Sequence, residues 1–99
     1  MSKPNSVEYQ RYFAEWIQLK GHLVLSFKVK NDARNELMEQ GINLLTVIID
    51  NATGITPINF SDRITFIKQN KNNYTAFRQL DELFKEMKKK IAVMLILKK

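Results

Sequence analysis

Residues Pro57 to Lys90 read PINFSDRITFIKQNKNNYTAFRQLDELFKEMKKK. The second half of this stretch decides the fold. Phe77, Leu80, Phe84, Met87, Ile91 and Met94 recur at spacings of three, four, three, four and three. Side chains at those spacings fall on one side of an α-helix. The stretch therefore predicts a last helix that starts near Tyr74 and carries a heptad-like seam buried against other helices. Before it, Phe60, Ile64 and Ile67 share a face, with Phe66 nearby, and predict a short helix over about residues 60–69. Asn59 or Ser61 can cap its first turn. Asn70 to Asn73 is the polar break between the two.

Upstream, Tyr9, Tyr12, Trp16, Leu19 and Leu23 repeat at three, four, three and four, and Phe13, Ile17, Val24 and Phe27 widen the stripe. A broad apolar face at this period predicts a first helix over about Val7 to Lys28. Gly21 weakens its middle by about 1 kcal/mol relative to Ala, or permits a neighbouring helix to come close. Asn31-Asp32 is a break, and the Asp32 carboxylate suits an N-cap. A second helix follows to about Asp50, with Leu37, Met38, Gly41, Ile42, Leu45, Ile48 and Ile49 facing inward. The β-branched run LLTVII could form a strand, but the helical spacing before it and the lack of a partner strand favour a central helix. Asn51 to Pro57, with Gly54 and Pro57, is the clearest loop. The expected fold is all-α: a single domain of residues 1–99 built as a compact bundle of about four helices, three long and one short.

Composition bounds the function. With six Phe, three Tyr and one Trp the chain can build a core, and with only three Gly and two Pro it should not be loop-rich. There is no Cys, hence no disulfide framework and no thiolate chemistry, which fits a reducing cytoplasm. No apolar run approaches the ~20 residues that span a bilayer, and MSKPNSVEYQRYF has no secretion-signal core. Residues 62–99 hold ten basic and four acidic side chains, whereas residues 1–61 are balanced, so the second half carries the whole net charge of +6. Such a face either keeps the protein solvated or steers it to an anionic partner.

Catalytic signals are thin. The one His, His22, has Leu25 at i+3 and Ser26 at i+4, so it lacks a metal-ligand partner. No nucleophile elbow, zinc motif or phosphate-cradling glycine loop occurs, and no cofactor is expected. Asp81, Glu82 and Glu86 sit among Lys85 and Lys90, where i,i+4 pairs contribute about 0.3 kcal/mol each. Trp16, inside the first seam, reads as core.

Two binding surfaces remain. A helix ending in KKKIAVMLILKK would bury Ile91, Met94 and Leu95 and leave Val93, Ile96 and Leu97 outward, a strip suited to a partner protein or a second copy. Its flanking lysines, Lys88–Lys90 and Lys98–Lys99, would add weak attraction to an anionic membrane surface. Alternatively, the break at 70–73 joins a helix-turn-helix. Thr75, Arg78 and Gln79 would then meet base edges, and Arg63, Lys68, Lys71, Arg78 and Lys88, Lys89 and Lys90 would supply a basic nucleic-acid face. The break lacks the glycine such a turn usually carries.

Pro57 and Asn59, then Arg63, Phe66 and Ile67, then Tyr74, Phe77, Gln79, Leu80, Leu83 and Phe84 form a pattern that resembles the YpoC-like proteins of Bacillus-type bacteria. The likeness covers about thirty residues closely and the first two helices more loosely. Asp62 stands where that pattern has Glu, and the end after Lys90 has no counterpart in it. The resemblance implies a cytoplasmic helical protein of a Gram-positive bacterium and brings no activity with it. It leaves Asn59 and Arg63 with two roles: a cap and a tie from the loop to a neighbouring helix, or a small polar site beside Gln79. The reading that joins these observations is a non-enzymatic accessory or adaptor protein acting through protein contacts, with nucleic-acid binding as the alternative.

Overall fold

The computed structural model describes residues 6–52 and 54–97. Four helices follow in order: α1 (Ser6–Lys28), α2 (Ala33–Asn51), α3 (Phe60–Gln69) and α4 (Tyr74–Leu97). No strand occurs among the described residues, and LLTVII lies inside α2. The β-branched run stays helical because Ile42, Leu45 and Ile48 fall on one buried side of it. Tertiary burial overrides a weak propensity here.

α1 packs on both α2 and α4, and α3 rests on α4. The four helices thus enclose one core, with Leu23, Met38, Leu45, Ile48, Ile67, Leu80, Leu83, Phe84 and Met87 fully buried. The α4 seam is buried from Phe77 through Ile91, with Met94 half-buried. Ala76 and Leu83 widen it. The α1 stripe is narrower than its sequence suggests. Tyr9, Trp16 and Leu23 are buried, but Ile17 and Val24 face solvent.

The close-approach glycine is Gly41. A Cβ there would stand 2.8 Å from Trp16 Cζ3 and 2.9 Å from Leu80 Cδ2. At Gly21 a Cβ would meet nothing within 4 Å, so no helix of the fold uses it.

The capping residues differ from expectation. α1 stops in a Schellman turn: Asn31 N–H donates to Ser26 O at 2.9 Å and Lys30 N–H to Phe27 O at 3.3 Å. Lys30 takes φ 54 there, a left-handed position that usually belongs to glycine. Asp32 makes no side-chain cap; Asn31 Oδ1 instead accepts from Ala33 N–H at 2.6 Å. Asn59 occupies the cap position of α3 in a left-handed conformation without a side-chain cap, which Asn tolerates better than most residues. Asn73 Oδ1 caps α4 by accepting from Thr75 N–H at 2.8 Å.

Candidate functional site

α1 and α4 run antiparallel, so the first half of one lies beside the last half of the other. Their middle is sealed by aromatics. The Trp16 ring stacks on Phe84 with centroids 4.1 Å apart and planes 8° from parallel. Phe77 links it to Phe27, 5.6 Å from both Phe27 and Tyr74. Trp16 Nε1 donates to Asp81 Oδ1 at 3.0 Å, which satisfies a buried donor. Asp81 Oδ2 also meets Lys20 at 3.0 Å and Lys85 at 3.3 Å. Burial alone would raise the Asp81 carboxyl; the indole N–H and the two ammonium groups outweigh it and hold the group below its usual range.

Towards the start of α1 and the end of α4 the same pair opens. A groove of about 400 Å³ lies between them, floored by Tyr9, Phe13, Ile17, Ile91 and Leu95, with Lys88 on its α4 wall. Ile17 is 63% exposed. Tyr9 anchors the floor by donating its hydroxyl to Asn51 O at 3.0 Å, and burial, with Tyr12 and Glu8 near it, pushes its phenol up. On the outer side of α4, Val93, Ile96 and Leu97 are 55%, 69% and 79% exposed. Ile91 is buried and Met94 and Leu95 are half-buried, so the end of α4 divides into inward and outward sides. Lys98 and Lys99, grouped with this strip from the sequence, lie outside the described residues.

The basic residues separate into two sets. Arg63 Nη1 donates to Ile58 O and to Glu86 Oε1, each at 2.9 Å. Glu86 Oε2 accepts from Ile58 N–H at 2.7 Å and meets Lys90 at 3.8 Å, while Lys90 donates to Thr56 O at 3.0 Å. Burial would raise Glu86, but Arg63, the Ile58 N–H and Lys90 hold it low. Arg63 is thus the tie between loop and helix, with Glu86 rather than Gln79 as its partner. The sequence presents Glu86 only as one half of an i,i+4 pair. Its reach across 28 residues to the loop has no local signal. Lys71 is bound to Glu39 at 2.5 Å. Lys68, Arg78, Lys88 and Lys89 remain exposed and form no ion pair among the described residues. Of the three base-reading candidates, Thr75 and Arg78 are exposed and Gln79 is half-buried.

His22 is exposed on α1. Among the described residues no group of three or more His, Cys, Asp or Glu is placed to hold a metal ion, and no helix is long and apolar enough to cross a membrane.

Fold and surface together define a small all-α protein with an open, apolar groove between α1 and α4. The chain belongs to the YpoC-like protein family, whose model matches residues 6–99. That span includes α1, α2 and the apolar end of α4, well beyond the thirty residues on which the likeness is most legible. No curated protein and no solved structure matches the chain.

Proposed function

We propose that the protein is a cytoplasmic, non-enzymatic accessory or adaptor that works by presenting a helical surface to another protein. One observation carries this reading: Val93, Ile96 and Leu97 stand exposed on the very helix that supplies the core seam. Large apolar side chains that a monomer leaves in contiguous solvent exposure mark interaction surfaces. The groove on the inner side of the same helix, lined by Ile91 and Leu95, is a second apolar surface that reaches α1. The cytoplasmic placement follows the family resemblance.

Nucleic-acid binding is the second reading, favoured by Lys68, Arg78, Lys88 and Lys89. Against it, Arg63, Lys71 and Lys90 are already held by carboxylates or backbone carbonyls of the same chain. The four exposed charges support only weak, salt-sensitive and sequence-independent binding, which should fade between ~50 and ~200 mM salt.

Affinity capture from a bacterial lysate, with and without nuclease, separates the two. The expected result is a captured protein that survives nuclease and is lost with Ile96→Glu/Leu97→Glu, while circular dichroism of that variant is unchanged. Capture abolished by nuclease would transfer the assignment to nucleic acid. Unfolding of the variant would place Ile96 and Leu97 in the core and remove the interface.

A further inference from the structure

The groove between α1 and α4 is asymmetric in charge. Its α4 wall holds Lys88, which is exposed and forms no ion pair among the described residues; Lys85, one turn earlier, is held by Asp81 and Glu82, and Lys89 lies towards the loop at 54–56. Its α1 wall is Gln10 and Ala14, both uncharged. Ala14, Ile17, Gly21 and Val24 follow at spacings of three, four and three, so they form one outward line along α1. All four are exposed, and the space over Gly21 is empty to 4 Å. The result is a trough about two helical turns long, roughly 11 Å, with an uncharged lip on one side and Lys88 on the other.

Building on the adaptor reading, we propose that this groove receives an amphipathic α-helix of a partner protein, with apolar residues at i, i+3 or i+4 and i+7 seated over Ile17, Ile91 and Leu95, and with Asp or Glu on the flank that faces Lys88. A helix laid in an apolar groove is a recurrent mode of recognition that reads such anchors. The uncharged α1 lip lets the partner backbone come close, and Lys88 on the other side favours an acidic flank over a basic one. A second copy is a poorer occupant. A two-fold contact would set this face against itself, between two chains that each carry a net charge of +6. A bilayer surface offers no ridge to fill a concave trough.

The test uses the full chain and two labelled synthetic peptides of about 18 residues with leucines at the stated spacing. One carries glutamates along a flank, the other lysines at the same positions. Fluorescence anisotropy at ~150 mM salt should give micromolar binding of the Glu peptide and binding at least about tenfold weaker for the Lys peptide. Lys88→Glu should erase or invert that preference, and Ile17→Glu should abolish binding of the Glu peptide. Ala14→Glu, at a site already exposed, should do the same and guards against misfolding of the first variant. Equal affinity for both peptides, no binding of either at ~100 μM, or a preference unmoved by Lys88→Glu overturns the proposal. If the peptides fail while lysate capture still depends on Ile96 and Leu97, the adaptor reading stands and the groove assignment falls. Dimers in sedimentation that Ile17→Glu dissociates, or anionic vesicles bound through Ile17, would likewise overturn it by assigning the groove to a second copy or a membrane.

Discussion

α1 and α4 meet in two ways along one pair of helices. At the middle, Trp16, Phe77 and Phe84 interlock and Asp81 satisfies the indole N–H. At the far end, Phe13, Ile17, Ile91 and Leu95 leave a groove that nothing among the described residues fills. Both ends are rich in apolar side chains, so hydrophobicity alone does not explain the difference. Side-chain size and a third helix do. Large planar rings bridge the space between two helix axes, and α2 reaches the stack because Gly41 lets it approach. Further along, Ala14 and Ala92 are too small to meet across the gap. One end is therefore a core and the other is a surface made of the same kinds of residue.

The largest expected effect tests that division directly. Trp16→Ala and Phe84→Ala should each cost about 3–5 kcal/mol in urea unfolding. Ile17→Ala and Ile96→Ala should stay within about 0.5 kcal/mol of the parent. Comparable losses in both pairs would mean that the open end is packed after all.

A smaller and opposite pair of effects comes from the two helical glycines of known surroundings. Gly41→Ala gains helix propensity but drives a methyl into the rigid indole of Trp16, so a net loss of about 1–2 kcal/mol is expected. Gly21→Ala meets open space and should stabilise by about 0.5–1 kcal/mol. Thermal melts of the two variants should move in opposite directions. A shift to higher melting temperature for Gly41→Ala would show that the helices can part without cost.

The smallest effect concerns pH. Asp81 is held below its ordinary value of 3.8 in the folded chain. Its charged form is favoured on folding, so its contribution is complete above the unfolded value and disappears as pH falls through the folded one. Asp81→Asn should therefore lower stability by a constant amount from pH 7 to about pH 5, and the gap to the parent should close below about pH 4. Trp16 is the one tryptophan, so its emission reports this site alone. A gap that widens in acid would reverse the sign of the assignment. Glu86→Gln should follow the same pH course through the loop at Ile58, without moving Trp16 emission.

The helices themselves were legible because each is written as a local period. The seam from Phe77 to Met94 and the breaks at 70–73 and 51–57 need only the 3.6-residue turn and the chemistry of Asn, Gly and Pro to be read. The outward direction of Val93, Ile96 and Leu97 follows from the same period once Ile91 is known to be inside. Caps were read less well. Asp32 and Asn59 have suitable chemistry, but which oxygen meets a free N–H depends on the backbone angles of the turn, and Asn31 takes the place expected for Asp32.

What the sequence determined by itself is the number, extent and inner faces of the helices, since these follow from interactions within a few residues. The tertiary structure alone decided which glycine admits a neighbour, which carboxylate holds the loop, which lysines and arginines stay in solvent, and where the apolar surface remains open. Each of these depends on groups brought together from far apart: Trp16 with Asp81, Ile58 with Glu86, Lys71 with Glu39, Ile17 with Leu95. Side chains on one helix fix its own apolar face, but only the distance and angle to its neighbours fix how much of that face is covered, and uncovered area is where a partner can bind.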